Sequence, residues 1–230
     1  MLAELHALSD RQARTSLRAL SFRRRLRGWF GLPVDWHRPA MRRRLADKLV
    51  ALDPDKGRLC YLLCRAIGAR RVVEVGTSFA VSTIYLAAAV KANGGAPPGI
   101  VIGTEWEPAK VVAARENLRR AGLGDVVNIR EGDARQTLRD VSGEVDFVLM
   151  DIWAPLARSA LDLLVPQLRR GAVVACDNVV RYQKDYRDYL MRVRDPDGGF
   201  QSNTMPYDGG FELSLWLPWH RGAGSSSYLV

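Results

Sequence analysis

The stretch Arg71-Val-Val-Glu-Val-Gly-Thr-Ser-Phe-Ala-Val-Ser-Thr83 constrains this chain more than any other. Arg71 to Val75 reads as a short buried strand, rich in β-branched residues. Gly76, Thr77 and Ser78 read as a tight turn, and from Phe79 the apolar residues fall at helical spacing. A strand that breaks at glycine and opens straight into a helix gathers free backbone N–H groups at one point, which favours a carboxylate or phosphate. A β-carbon there would obstruct either the turn or the approach of a ligand. Glu74 stands just before the turn, where a dinucleotide loop carries apolar residues. Its charge argues against a pyrophosphate and for a ligand with a positive group.

Ile100-Val-Ile-Gly-Thr-Glu105 is a second apolar strand ending in an acid, about thirty residues after Glu74. Such an acid is the expected partner of ribose hydroxyls, since one carboxylate accepts from both. Strands are predicted at 71–75, 100–104, 126–130, 145–150 and 172–176, and helices at 79–91, 107–121, 134–140, 155–169 and 181–193. This alternation implies parallel strands with helices on both faces. Asp53-Pro54, a cap residue followed by proline, opens a further helix to Ile67 with a predicted apolar stripe of Leu59, Leu62, Leu63 and Ile67. Segments 200–205 and 211–217 flank Pro206-Tyr-Asp-Gly-Gly210, a hairpin signal that adds an antiparallel pair at one sheet edge.

With 230 residues, one α/β domain is the natural reading. Its charge is unevenly placed. Residues 1–48 hold twelve Lys and Arg against four acids, a net of +8, so the remainder carries +1 of the total +9. The basic character belongs to an N-terminal segment. Within it, leucines mixed with arginines suggest amphipathic helices over residues 1–30, and a basic helix is expected near 39–52. For the run Arg23-Arg24-Arg25-Leu26-Arg27 two readings stand: contact with a phosphate-bearing partner or membrane surface, or a solvated helix face whose apolar side covers the core or a second subunit. The expected division is a basic helical extension over 1–52, a catalytic domain over 53–220 and a flexible tail over 221–230. No apolar run reaches the length needed to cross a bilayer, and none follows the early arginines as a secretion signal requires. Cys60, Cys64 and Cys176 lie in apolar surroundings and read as reduced core residues, so a cytoplasmic location is expected.

In an open parallel sheet, ligands bind beyond the carboxyl ends of the strands, where the strand order switches. The first strand brings Glu74, Gly76, Thr77 and Ser78 there, with Ser82 in the following helix. The second brings Glu105 and Trp106, the third Gly132, Asp133 and Ala134, the fourth Asp151 and Trp153, and the fifth Asp177 and Asn178. Asp151, Asp177 and Asn178 form a hard-oxygen set suited to Mg²⁺ or Ca²⁺. The other reading is that Asp177 and Asn178 cap the next helix.

From about Asp53 to Leu217 the chain resembles the cation-dependent class I O-methyltransferases, the group of catechol and caffeoyl-CoA O-methyltransferases. The motifs that carry the resemblance are Glu-Val-Gly-Thr-Ser-Phe-Ala-Val-Ser (74–82), Glu105, Glu-Gly-Asp-Ala (131–134), Asp-Phe-Val-Leu-Met-Asp-Ile-Trp (146–153) and Ala-Cys-Asp-Asn (175–178). It implies a Rossmann-like doubly wound seven-stranded sheet, mostly parallel with an antiparallel C-terminal strand. The implied cofactor is S-adenosylmethionine. Glu74 and Gly76 would line its methionine portion, with Thr77 and Ser78 in the same loop, and Ser82 would hold its carboxylate. Glu105 would take the ribose hydroxyls and Trp106 would flank the adenine. Asp133, between Gly132 and Ala134, would sit near the adenine amino group, and Asp151 close to the sulfonium. Asp151, Asp177 and Asn178 match the metal ligands, Asp151 being the catalytic aspartate, with Mg²⁺ or another divalent cation aiming a substrate oxygen at the methyl group. Trp153 would form part of the substrate wall, or serve as a core residue. A homodimer fits the family pattern.

Three departures separate this chain from that pattern. Many relatives carry a lysine three residues after the first metal aspartate, where this chain has Ala154; Arg158 is too basic to replace it, and His37 is a candidate substitute. The later glycine of the cofactor loop is Ala80, and the N-terminus is unusually basic. The leading reading is a metal-assisted O-methyltransferase of a small hydroxylated, aromatic molecule. Two others stand beside it. One is an RNA methyltransferase gripping phosphates with its basic segment, against which the segment lacks interleaved aromatics. The other is a cofactor-binding protein without turnover.

Overall fold

Asp53 opens the first element of the α/β body, as its cap sequence predicts. In the computed structural model, which describes residues 1–12, 49 and 51–218, the Asp53 carboxylate accepts from the backbone N–H of Asp55 at 2.8 Å. Helix α1 (Pro54–Ala66) follows, then β1 (Arg71–Val75), α2 (Val81–Asn93), β2 (Ile100–Glu105), α3 (Pro108–Arg120) and β3 (Val127–Glu131). The second half runs α4 (Ala134–Thr137), β4 (Val145–Met150), α5 (Ala154–Leu164), β5 (Leu168–Asp177), α6 (Arg187–Val193), β6 (Phe200–Met205) and β7 (Phe211–Trp216).

The seven strands form one sheet in the order β3-β2-β1-β4-β5-β7-β6. Strands β1 to β5 pair in parallel, and β7 runs antiparallel to both β5 and β6. The order reverses between β1 and β4, so the crevice beyond Val75 and Met150 is the switch point. Helices cover both faces. Cys60 and Cys64 of α1, Ile84 and Leu86 of α2, and Val111 and Leu118 of α3 pack on one side with Val72, Val101 and Phe147. Ala157 and Leu161 of α5 and Tyr189 and Leu190 of α6 pack on the other with Val73, Val148 and Val174. The seven-stranded doubly wound fold expected from the sequence is therefore the fold observed.

Residues 2–12 are helical and lie on this body. Leu5 is buried in the first core, and the Ser9 hydroxyl donates to the Leu49 carbonyl and accepts from Ala51 N–H, both at 3.1 Å. The basic run 23–27, the helix expected near 39–52 for all but its end, His37 and the tail from 219 lie outside the described residues. Among the described residues, no helix is long and apolar enough to cross a membrane.

Several predicted boundaries shift for identifiable reasons. The helix expected over 155–169 ends at Leu164, because Pro166 has no N–H to continue it. Strand β5 starts at Leu168 rather than 172, after which the register with β4 jumps. Opposite that jump, the Asp146 carboxylate accepts from Arg70 N–H, Arg71 N–H and the Arg169 guanidinium. The helix expected from 181 begins at Arg187, because the backbone N–H groups of Val180 and Arg181 both donate to the Gly209 carbonyl. Helix α4 stops at Thr137, whose carbonyl is taken by Arg130 at 2.6 Å.

The inward face of α1 also differs from the predicted leucine stripe. Lys56, Gly57, Cys60 and Cys64 are buried, whereas Leu62 is 60% exposed and Leu59, Leu63 and Ile67 sit only partly covered. Gly57 sets this orientation: a β-carbon there would lie 2.7 Å from the Tyr85 ring of α2.

Candidate active site

The turn after β1 is built around two backbones that touch. Gly76 has φ +101°, and a β-carbon on it would fall far inside contact distance of the Asp151 carbonyl oxygen. Asp151 is held there by its own N–H, which donates to the Val75 carbonyl at 3.0 Å. Thr77 N–H and Gly76 N–H both donate to the Thr104 carbonyl, tying the turn to β2. Ser78 and Ala80 adopt left-handed conformations at φ +49° and +65°, so Ala80 takes the backbone shape that a glycine would adopt without strain. The resulting crevice is lined by Gly76, Thr77, Ser78, Ser82 and Asp151, and roofed by Leu49, Ala51 and Leu52.

Glu74 lies fully buried beneath this turn. Thr83 donates to its Oε2 at 2.5 Å, while Oε1 and the Thr77 hydroxyl oxygen are buried without a well-formed hydrogen bond. Burial pushes the Glu74 carboxyl up to about 7, against the pull of the Ser82, Thr83 and Thr77 hydroxyls; the nearby Glu105 charge adds to the rise. A buried acid with an unmet oxygen beside a glycine turn suits the ammonium group of an amino acid moiety.

Glu105 organises the neighbouring loops. Its two oxygens accept from Ser78 N–H at 2.7 Å and Glu107 N–H at 2.9 Å, and its backbone carbonyl accepts from Gly132 N–H. Trp106 is half exposed beside it. Asp133 caps α4 through Arg135 N–H and pairs with the Arg135 guanidinium at 2.5 Å, while Ala134 is buried under that helix. The first, second and fourth strands thus bring Glu74, Gly76, Thr77, Ser78, Ser82, Glu105 and Asp151 around one crevice. Gly132, Asp133 and Ala134 flank it at the β3 end, one strand further out.

Asp151 and Asp177 follow the paired residues Met150 and Cys176 on adjacent strands. Burial raises both carboxyls above the usual range. Asp177 is the next largest cause for Asp151, and Lys56 pulls back on Asp177. Asn178 has φ +62° and sits against the β6–β7 turn, its N–H donating to the Gly210 carbonyl. The Asp177 oxygens are engaged: Oδ1 accepts from Lys56 Nζ at 2.5 Å and Asn178 N–H at 2.7 Å, and Oδ2 accepts from Asn178 Nδ2 at 2.8 Å. The helix-cap reading of this pair is not what the chain adopts, since no helix begins until Arg187. Two carboxylates suit a hard cation chemically, but the Asn178 amide turns its nitrogen toward Asp177 and its oxygen toward Gly209, and a divalent ion taking Asp177 Oδ1 has to contend with an ammonium already on it. Among the described residues, no three His, Cys, Asp or Glu side chains are grouped to hold a metal.

Lys56 escaped the sequence reading. It was legible as a local conflict, because a lysine in the first turn of a helix opposes the helix dipole, and helical spacing places it on the face of Cys60. Ala154 opens α5 where a lysine was the alternative, and Trp153, 38% exposed, precedes it.

A doubly wound sheet with its seventh strand antiparallel, and a glycine turn over a buried acid at its switch point, defines a class I methyltransferase architecture. Comparison with known proteins agrees. Residues 73–179 match a family model described as a methyltransferase domain. Catechol O-methyltransferase of Mycobacterium tuberculosis is 38% identical over 133 residues, covering 57% of this chain and 58% of the relative. Catechol O-methyltransferase of Niastella koreensis is 29% identical over 136 residues, covering 57% and 59%. The match therefore spans less than two thirds of either curated relative. The structure of the O-methyltransferase TomG from Streptomyces achromogenes, solved with S-adenosylmethionine, superposes with a TM-score of 0.66 at 27% identity, covering 76% of this chain and 86% of that one. Over these segments the chain is similar to class I S-adenosylmethionine-dependent O-methyltransferases.

Proposed function

We propose that this chain transfers the methyl group of S-adenosylmethionine to a hydroxyl of a small aromatic molecule, assisted by a divalent cation such as Mg²⁺. The observation that carries the cofactor assignment is the buried, unmet Glu74 oxygen beneath the Gly76 turn. In this reading the Glu74 carboxylate takes the cofactor's ammonium, and Ser82 with the N–H groups of the turn takes its carboxylate. Glu105 takes the ribose hydroxyls and Trp106 stacks on the adenine, with Gly132, Asp133 and Ala134 closing the adenine end. Asp151 faces the sulfonium.

Methyl transfer is an in-line displacement. The substrate oxygen bonds to the methyl carbon as the carbon–sulfur bond breaks, leaving S-adenosylhomocysteine, and the hydroxyl proton passes to water. Asp151, Asp177 and Asn178 would hold the cation, which when bound lowers the pKa of the substrate hydroxyl and fixes its direction. Trp153 forms one wall for an aromatic ring, and alignment within the crevice supplies the rest. The relatives named catechol O-methyltransferase make a catechol the first substrate to test. The same reading carries a homodimer and a cytoplasmic location, in keeping with three buried free cysteines.

The test is calorimetric: S-adenosylmethionine is titrated first, then catechol with and without Mg²⁺. The expected result is cofactor binding, followed by catechol binding that needs Mg²⁺ and disappears in Asp177→Ala. Cofactor binding with no Mg²⁺-dependent catechol binding would overturn the metal-assisted reading, and no cofactor binding would overturn the function as a whole.

A further inference from the structure

Lys56 is buried to 2% exposure in the first turn of α1, a place that favours acids and where lysine is normally solvated. Its ammonium has a built seat. It donates to Asp177 Oδ1 at 2.5 Å and to the Asp208 carbonyl at 2.7 Å, and lies 5.7 Å from the centre of the Phe211 ring. Three separate elements supply that seat: the end of β5, the β6–β7 turn and the start of β7. The turn is itself fixed, because Arg181 pairs with the Asp208 carboxylate and the Gly209 carbonyl accepts from Val180 and Arg181 N–H. A cation delivered to the buried Asp177 carboxylate beside Asp151, on a helix that electrostatically resists it, is a charge placed for the site.

We propose that Lys56 is a resident cation of the Asp151–Asp177 pair and competes with a divalent ion for Asp177, so that it sets the metal affinity of the site. This rests on the metal-assisted reading above and adds a determinant to it. Coulomb repulsion keeps an ammonium and a divalent ion from sharing one carboxylate oxygen at contact distance in a dry site. Metal entry therefore requires Lys56 Nζ to withdraw from Oδ1 toward the Asp208 carbonyl, its other acceptor. In the absence of metal the same ammonium offsets the charge of Asp177, so the carboxylate pair stays assembled without an ion.

The test measures Mn²⁺ binding to the full chain loaded with S-adenosylhomocysteine, by electron paramagnetic resonance of free Mn²⁺, in wild type, Lys56→Met and Lys56→Arg. The expected result is Mn²⁺ binding tightened by roughly tenfold or more in Lys56→Met, the scale of removing one adjacent like charge from a partly screened site. Lys56→Arg, which keeps the charge, should stay near wild type. Equal or weaker affinity in Lys56→Met overturns the proposal while leaving the metal reading intact. Absence of Mn²⁺ binding from all three proteins overturns both. Should Lys56→Met fail to fold, the wild-type protein still decides. Its Lys56 ε-carbon NMR resonance, assigned with Lys56→Arg, should shift as Mg²⁺ saturates the site. A resonance unmoved at saturating Mg²⁺ overturns the proposal.

Discussion

Gly76 and Asp151 meet backbone to backbone at the point where the strand order reverses, with no room between them for a β-carbon. The contact joins the proposed cofactor turn to the strand end that carries Asp151, the proposed catalytic aspartate, so one position governs both. Gly76→Ala meets two penalties: a left-handed backbone at φ +101° and a collision with main chain that cannot swing aside. We expect a destabilisation of about 2 kcal/mol or more in urea unfolding. Calorimetric binding of S-adenosylmethionine should be lost even where the variant remains folded.

Glu74 gives the site a pH dependence whose sign is fixed. Its folded-state pKa is raised from the ordinary 4.5 to about 7. The proton is held more tightly in the folded state, so the stability this group contributes is full below pH 4.5. It is lost as pH rises through about 7. Glu74→Gln should abolish that slope and make the ligand-free protein more stable at pH 8, by about 3 kcal/mol as an upper figure. The cofactor responds in the opposite sense, since its ammonium needs the ionised acid. Affinity for S-adenosylmethionine should rise between pH 6 and 8 in wild type and stay flat and weak in the variant. A wild-type affinity that is flat across this range would remove Glu74 from the ammonium site.

Most of the sheet could be read from the chain because its strands are short apolar runs ending in glycine or an acid, and that punctuation survives without tertiary context. Gly76, Glu105 and Asp151 lie where the sequence places them for the same reason, as Glu105 ends its strand and the other two directly follow theirs. The misreadings arose where distant backbone decides. Residues 181–186 have a helical pattern, but their first amides are spent on Gly209, about thirty residues away. The inward face of α1 departs from the leucine stripe because none of its three leucines is buried, and the close approach at Tyr85 turns Gly57 and Lys56 inward instead. Lys56 itself could not be recognised as part of the site from composition, since its partner Asp177 is 121 positions away.

The Lys56–Asp177 pair should show the asymmetry of buried ion pairs. Asp177→Asn leaves the ammonium buried at 3% side-chain exposure with only neutral acceptors. We expect that variant, free of metal, to lose about 3 kcal/mol of stability. The double variant Lys56→Met, Asp177→Leu should recover most of the loss, because neither charge then remains to be compensated. Denaturant unfolding of Lys56→Met, of Asp177→Leu and of the double supplies the cycle, and additive losses would show that the pair is not coupled.

The N-terminal helix is tied to the roof of the crevice through two side chains, those of Ser9 and Gln12. Ser9 Oγ bridges the Leu49 carbonyl and Ala51 N–H, the Gln12 side chain accepts from Leu49 N–H at 2.8 Å, and Leu49 and Ala51 face Gly76 and Asp151 across the crevice. Ser9→Ala strips a partner from both backbone groups, at a cost of about 1 to 2 kcal/mol. Because this helix helps to hold the roof, the loss should fall on the ligand as well as on the fold. We expect S-adenosylmethionine to bind several-fold more weakly to Ser9→Ala, chiefly through faster dissociation, with hydrogen exchange rising at Leu49 and Ala51 and unchanged in β1 and β4. Unaltered dissociation together with faster exchange at the roof would mean that residues 49–52 shield the crevice without holding the cofactor.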